Sequence, residues 1–324
     1  MLSISKAQKL ISDELKKLVF PEEPKKLYDP IRFILSDGGK RLRPALVLLA
    51  CDLFGGNYHK AIYPALGIEV FHNFTLLHDD LMDNSSIRRN RPTVHVKWDP
   101  NTAILSGDAM SIIANDLICR VDDEKIRAVS RLFSKTAVEV CEGQMLDMEY
   151  AQKDSVTISE YINMIRLKTS VLLAASLGIG SYIGGAPEKE ADRMYYFGLN
   201  LGLAFQLQDD LLDSFGIQDL FGKKIGNDIL TNKRTYLVIR AFEKAKGSDL
   251  LILSKYFSGF DFDPDEKIHQ VISVFNSLDI KNDTQNQITE FHRKALKYLN
   301  EVNLSHERKK ILLEFSEELI KREK

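Results

Sequence analysis

Two short acidic clusters carry the residue types most capable of chemistry. Leu77-His78-Asp79-Asp80-Leu81-Met82-Asp83 and Leu207-Gln208-Asp209-Asp210-Leu211-Leu212-Asp213 share the form D-D-x-x-D, and each follows an apolar stretch. On a helix, the first and last Asp of each cluster lie one turn apart on one face. The middle Asp sits about 100° round. Three carboxylates then crowd the negative end of a helix dipole, which is unfavourable without compensation. A solvated acidic face would explain one such cluster. Two, both preceded by core-like residues (Val70-Phe71 and Leu203-Ala204-Phe205), point to a cation. Oxygen ligands with no Cys nearby favour Mg²⁺, Mn²⁺ or Ca²⁺. A di-iron bundle is the competing metal reading; it needs two Glu-x-x-His pairs, and the single pair taken up here, Glu69-x-x-His72, leaves it disfavoured.

Basic residues alternate with these clusters. Gly38-Gly39-Lys40-Arg41-Leu42-Arg43-Pro44 is a compact cationic turn before an apolar run. Ile87-Arg88-Arg89-Asn90-Arg91-Pro92 follows the first acidic cluster. Gly222-Lys223-Lys224-Ile225-Gly226-Asn227-Asp228 and Lys233-Arg234 follow the second, and Lys168-Thr169 interrupts the apolar stretch from Ile162 to Leu177. Arg binds phosphate through its planar fork, and Lys acts as a mobile point charge. Aspartates cannot hold a phosphate directly, so divalent cations must bridge them. The pattern therefore describes two anion sites, one bridged by metal and one held directly by Lys and Arg. The same groups are what a departing diphosphate needs as its charge grows.

Helices must position these residues. Apolar spacing of three and four predicts helices over Ala103 to Ile118, Ile126 to Met148, Tyr161 to Ile179 and Ala191 to Leu212. Asp99-Pro100 and Asp263-Pro264 place a capping Asp before a Pro suited to a first helical turn, and Thr157-x-x-Glu160 reads as a capping box. Residues 1 to 21 read as an amphipathic helix rather than a secretory signal, and the part from about Gly247 onward is helical without evident chemistry. No series of alternating strands is visible, so the chain is expected to be all-α. No Pro/Gly/Ser-rich linker divides it, and one domain over residues 1–324 is expected. Gly38-Gly39, Asn84 to Pro92 and Gly216 to Asn232 read as loops carrying function.

Composition narrows the classes further. The chain has 324 residues, 44 Lys+Arg, 46 Asp+Glu and a net charge of −2, with 44% hydrophobic residues. That excludes wholesale disorder and lacks the basic excess of a nucleic-acid binder. Cys51, Cys119 and Cys141 are far apart with no C-x-x-C. They read as reduced core thiols of a cytoplasmic protein. No apolar run near the ~18 residues of a membrane span is evident.

Taken together, the motifs G-G-K-R-L-R-P, D-D-L-M-D with R-R-x-R-P-T-V-H, G-Q-M-L-D, K-T, F-Q-L-Q-D-D-L-L-D and G-K-K-I-G-N-D-I…K-R-T-Y resemble, in order from Gly38 to Tyr236, those of all-trans polyprenyl (farnesyl/geranylgeranyl) diphosphate synthases. The resemblance implies an all-α isoprenoid synthase bundle with a central substrate pocket. It implies that Asp79, Asp80 and Asp83, with Asp209, coordinate Mg²⁺ (three ions with substrate bound, Mn²⁺ as a substitute), Asp210 and Asp213 completing the second motif. Arg88, Lys168, Lys223 and Lys233 would bind the allylic diphosphate (dimethylallyl, geranyl or farnesyl). Lys40, Arg43, His72 and Arg89 would bind isopentenyl diphosphate. Thr169 and Gln206 would stabilise developing positive charge, and Gln144 and Asp147 would support the pocket. The implied reaction is a sequential 1'-4 condensation, with the released diphosphate taking the proton, in a homodimer. His78 and His95 then read as helix packing and loop hydrogen bonding. Asn90, where the family commonly has Gly, and the added Lys224 are mild departures.

Product length is read from the same resemblance. Phe74 and Phe71 precede Asp79 by five and eight residues, roughly 7.5 and 12 Å along a helix. In the family, a bulky residue five positions upstream floors the chain pocket. Thr75 is not aromatic, unlike many farnesyl synthases, and the first motif lacks the two-residue insertion of many bacterial short-chain members. Geranylgeranyl diphosphate is the expected product, with farnesyl or longer chains as alternatives. A terpene cyclase would usually lack Asp209-Asp210-x-x-Asp213 and the Lys40/Arg43 turn; a silent helical subunit would have damaged acidic motifs.

Overall fold

The computed structural model describes residues 2–36, 38–216, 226–260 and 262–321. The chain is all-α, as the apolar spacing predicts. Among the described residues, its α-helices begin with α1 (Ile4–Leu15), α2 (Lys25–Leu35), α3 (Leu42–Leu53), α4 (Ile62–Met82), α5 (Val94–Lys97), α6 (Pro100–Ile118), α7 (Asp123–Ala151), α8 (Ile158–Ile165), α9 (Val171–Ile183) and α10 (Glu188–Phe215). Further helices span Asn227–Leu230, Tyr236–Lys244, Gly247–Tyr256, Pro264–Ser277, Ile280–Glu301 and His306–Ile320.

The start signals act as expected. Asp99 accepts from the Thr102 amide with Pro100 in the first turn of α6, and Asp263 does the same for Glu266. Thr157 and Glu160 form a reciprocal capping box at α8. The predicted N-terminal helix is α1, which buries Ala7, Ile11 and Leu15.

Two local features differ from the sequence reading. The stretch from Tyr161 to Ile179 is not one α-helix: Arg166–Ser170 form a π turn between α8 and α9. The loop after α4 contains a two-stranded ladder, β1 (Ile87–Arg88) against β2 (Arg91–Pro92), with Arg88 opposite Arg91. Arg89 and Asn90 close it with φ of 50° and 61°. A two-residue turn with both φ positive matches the twist of a hairpin, and Asn tolerates that conformation where Arg does so at a cost.

The chain divides into two compact units, one of Met1–Ala137, Leu172–Tyr195 and Val302–Ile311, the other of Val138–Val171, Tyr196–Glu301 and Leu312–Lys324. In the first, α3 is buried almost all round, from Pro44 to Cys51. There α4 lies against α6 at close range: a Cβ on Gly67 would meet the Ala114 carbonyl at 2.8 Å, and one on Gly107 would overlap the His78 ring. In the second, Tyr161, Leu207, Leu237, Val271, Phe275 and Ile288 form part of one buried core.

An 18-residue window within Ile158–Ile183 is long and apolar enough to cross a membrane, a stretch the sequence reading passed over. Of that window, 72% is buried inside the protein, so the protein itself covers most of its apolar surface. All three cysteines are free, but only Cys51 is buried; Cys141 is exposed. The core-thiol expectation therefore fails for Cys141, which lies on a solvent-facing position of α7.

Candidate active site

The first acidic cluster closes α4. Asp79 and Asp80 lie in its last turn and Asp83 is its C-cap. The middle carboxylate is the buried one: Asp80 is 4% exposed, whereas Asp83 is exposed. The β1–β2 hairpin folds back over this end, anchored by the Thr93 hydroxyl donating to the Ser85 carbonyl at 2.7 Å. Arg88 thereby donates from Nε to Asp80 at 2.7 Å and from Nη2 to Asp79 at 3.4 Å. Burial pushes the Asp80 carboxyl above its ordinary range, and the Arg88 guanidinium opposes that shift.

The basic turn enters α3 through Arg41, whose backbone is left-handed at φ 46°. For a non-glycine residue that conformation costs about 1–2 kcal/mol. Lys40 on one side is exposed, while Arg41 is buried and pairs with Glu69 of α4. Arg43 on the other side donates to His72 Nε2 at 3.3 Å. An arginine can only donate, so His72 carries its own proton on Nδ1. Burial, then the cations of Arg43, Arg89, Arg88 and Arg41, hold its pKa well below 6.5. His72 is therefore neutral at pH 7. A Cβ on Gly39 would lie 3.1 Å from the Arg89 guanidinium, so the glycine leaves room for Arg89 against the turn.

Below the acidic end, α4 carries a ladder of rings. Phe74 meets His78 at 4.8 Å and Phe71 at 5.4 Å between centroids, and Phe71 meets Phe133 edge-on at 5.2 Å. Edge-to-face arrangements of this kind are favourable beyond their buried area. Thr75 turns its hydroxyl back to the His72 carbonyl at 2.8 Å.

In the second unit, the π turn sets the geometry. A Cβ on Gly143 of α7 would fall 2.2 Å from the Lys168 amide nitrogen, and one on Gly202 of α10 would fall 2.8 Å from Ser170 Cα. Glycines on both neighbours thus let the wider π turn fit. Lys168 there donates to Asp147 at 2.6 Å, which brings the K-T and G-Q-M-L-D motifs together; Gln144, one turn before Asp147, is partly buried. Thr169 donates to Gln206 Oε1 at 3.1 Å, and Gln206 donates to Asp210 at 3.1 Å. The Tyr161 hydroxyl donates to the other Asp210 oxygen. Tyr161 was missed by the sequence reading, because no local signal links it to a cluster 49 residues on.

The second acidic cluster repeats the pattern of the first. Asp210, the middle one, is 2% exposed. Burial and the neighbouring Asp228 raise its pKa to about 7, opposed by Lys233, Tyr161 and Gln206. Asp209 and Asp213 remain partly exposed. Asp213 accepts from the Asp228 amide at 3.0 Å, and Lys233 lies 4.0 Å from Asp228. Lys223 and Lys224 lie outside the described residues.

Among the described residues, no three His, Cys, Asp or Glu side chains form a ready metal cage. The donor chemistry still suits Mg²⁺, which commonly takes one or two carboxylates and completes its shell with water and substrate phosphates. Di-iron chemistry fits poorly. A second Glu-x-x-His spacing exists at Glu266–His269, but Glu69 is paired with Arg41 and Glu266 accepts from the Tyr256 hydroxyl at 2.5 Å. A cavity of about 570 Å³ in the second unit is lined by Arg234, Phe242 and Phe257 and by none of the motif carboxylates.

An all-α chain with two D-D-x-x-D helix ends, each flanked in sequence by Lys and Arg, has the parts of an enzyme that handles diphosphates. The polyprenyl synthetase family model matches residues 24–275. The chain is 42% identical over 240 residues to a geranylgeranyl diphosphate synthase of Methanosarcina mazei, covering 74% of this chain and 73% of that one. It is 36% identical over 299 residues to a geranylgeranyl diphosphate synthase of Sulfolobus acidocaldarius, covering 90% and 89%. A solved geranylgeranyl pyrophosphate synthetase from Pyrococcus horikoshii superposes with a TM-score of 0.91 at 33% identity, covering 98% of each chain. A solved geranylgeranyl pyrophosphate synthase superposes at 0.95 with 43% identity, covering 99% of each. The chain belongs to the polyprenyl synthetase family. It is a prenyl transferase.

Proposed function

We propose that the chain makes geranylgeranyl diphosphate by sequential 1'-4 trans condensation of isopentenyl diphosphate with an allylic diphosphate (dimethylallyl, geranyl or farnesyl). The observation that carries this reading is the layout of α4: carboxylates and Arg88 at its end, and the Phe74–Phe71 ladder beneath them. The first suits a metal-bound diphosphate, and the second suits a short floor for the growing chain. The similarity to geranylgeranyl synthases supports the same length.

Asp79, Asp80, Asp83, Asp209, Asp210 and Asp213 would hold Mg²⁺, three ions with substrate bound, or Mn²⁺ in its place. When bound, the metal neutralises the diphosphate and makes its departure easier. The chain's own residues do the rest. Arg88, Lys168, Lys223 and Lys233 hold the allylic diphosphate. Lys40, Arg43, Arg89 and neutral His72 hold isopentenyl diphosphate, to which a neutral ring adds a hydrogen bond without a mobile charge. Thr169 and Gln206 offer oxygen lone pairs to the developing carbocation. The departing diphosphate takes the proton, so no side-chain base is needed.

All of residues 1–324 serve this one activity, in the cytoplasm and as a homodimer. Exposed Ile104, Leu105 and Ile112 of α6, at 43%, 60% and 70%, fall within about 100° of one helix face and support a second copy as their cover. The test is product analysis. The protein is incubated with isopentenyl diphosphate and each allylic primer in turn, and product masses are read. Twenty-carbon product from every primer is expected. A fifteen-carbon stop or much longer chains would overturn the length, and cyclised hydrocarbon would overturn the reaction.

A further inference from the structure

We propose that Arg41, Glu69, Asn73 and Gln8 form a positioning clamp that presents Lys40 and Arg43 to isopentenyl diphosphate. The inference rests on the proposed function, which takes Lys40 and Arg43 as holders of that substrate.

Arg41 sits in sequence between the two substrate-holding cations, yet it is only 8% exposed. It does a different task. Its guanidinium donates to Glu69 of α4 and, at 2.9 Å, to the Leu35 carbonyl that ends α2. Glu69 is 2% exposed and is held in turn by Asn73, whose Nδ2 donates to Glu69 Oε1 at 3.0 Å and to its carbonyl at 2.8 Å. Next to it in the turn, the Lys40 carbonyl accepts from Nε2 of Gln8 of α1 at 2.5 Å. Three helices therefore grip one turn.

The turn needs that grip. Arg41 holds a left-handed backbone that side chains disfavour. Behind it lies a cavity of about 410 Å³ lined by Gly38, Gly39 and Arg41 together with residues of α1 and α2, so an ungripped turn has space to relax into. A buried ion pair is weak evidence for stability, because its desolvation cost offsets its attraction. Geometry is the better account. Glu69 and His72 lie on one face of α4, three residues apart, and Arg43 touches His72 at 3.3 Å. The clamp thus sets the turn and His72 in register on the same helix.

The test compares Gln8→Ala, Glu69→Gln and Lys40→Ala. The KM for isopentenyl diphosphate is measured at saturating allylic substrate, and the KM for the allylic substrate at saturating isopentenyl diphosphate. Glu69→Gln is expected to raise the isopentenyl KM roughly tenfold and Gln8→Ala roughly threefold, with the allylic KM within about twofold of wild type. If Lys40→Ala raises the isopentenyl KM but neither clamp variant does, the clamp is overturned. The same holds if both KM values rise together, as a merely structural defect would make them. If Lys40→Ala leaves the isopentenyl KM unchanged, the site reading fails and the clamp with it. Should Glu69→Gln not fold, Gln8→Ala decides alone, since it removes one hydrogen bond made by a partly exposed side chain.

Discussion

Arg88 donates from Nε to the buried carboxylate of Asp80 at 2.7 Å, reaching back over the end of α4 from a two-residue strand. The pair marks a buried middle of the first acidic cluster, between a half-buried Asp79 and an exposed Asp83. Removing the cation leaves Asp80 buried without its partner. Arg88→Ala is expected to destabilise the fold by about 1–3 kcal/mol, read from the urea midpoint. A midpoint unchanged from wild type would show that the hairpin, not the ion pair, holds this end.

The close approach at the π turn makes a second expectation. A methyl group at Gly143 would fall on the Lys168 backbone, which cannot yield as a side chain can. Gly143→Ala should cost about 2 kcal/mol through overpacking and lower turnover, because Lys168 rides on the displaced turn. Stability and kcat measured on one preparation check both. A variant as stable and active as wild type would mean that α7 can slide without moving Lys168.

His72 gives a pH dependence with a definite sign. Its pKa is depressed in the folded protein by burial and by Arg43, Arg89, Arg88 and Arg41. The unfolded chain takes up a proton near 6.5 and the folded chain does not. The stability His72 confers is therefore full above about 6.5 and is lost as pH falls toward its folded pKa. Wild type should lose more stability than His72→Gln between about pH 8 and about pH 5.5. Denaturation curves at both pH values test this; equal losses would place the neutral histidine in doubt.

These expectations also mark what the sequence could reveal. The placement of the two acidic clusters near helix ends and the caps at Asp99, Thr157 and Asp263 were legible because their signals are local: spacing along one helix, or a side chain beside its own first turn. The π turn was not legible, since glycines on other helices, Gly143 and Gly202, make room for it. Tyr161 under Asp210 and Glu69 under Arg41 are likewise set by tertiary contacts that no periodicity encodes. The apolar window around Lys168 is not evident as a run in the sequence because that lysine interrupts it, although the window as a whole stays apolar.

Phe74 tests the product length. Replacing its ring with a methyl group opens the ladder between Phe71 and His78. Phe74→Ala should extend the product past twenty carbons, read by mass. An unchanged distribution would move the floor elsewhere.

The most direct measurement is turnover of farnesyl and isopentenyl diphosphates by the wild-type protein, Asp79→Ala and Asp209→Ala, with Mg²⁺, with chelator, and with Mg²⁺ restored. Wild type should form twenty-carbon product only when Mg²⁺ is present and recover on its return, while both variants fold normally and lose most of their turnover. Full turnover in both variants, or wild-type activity untouched by chelator, would contradict the metal-bridged diphosphate at the centre of the proposed function.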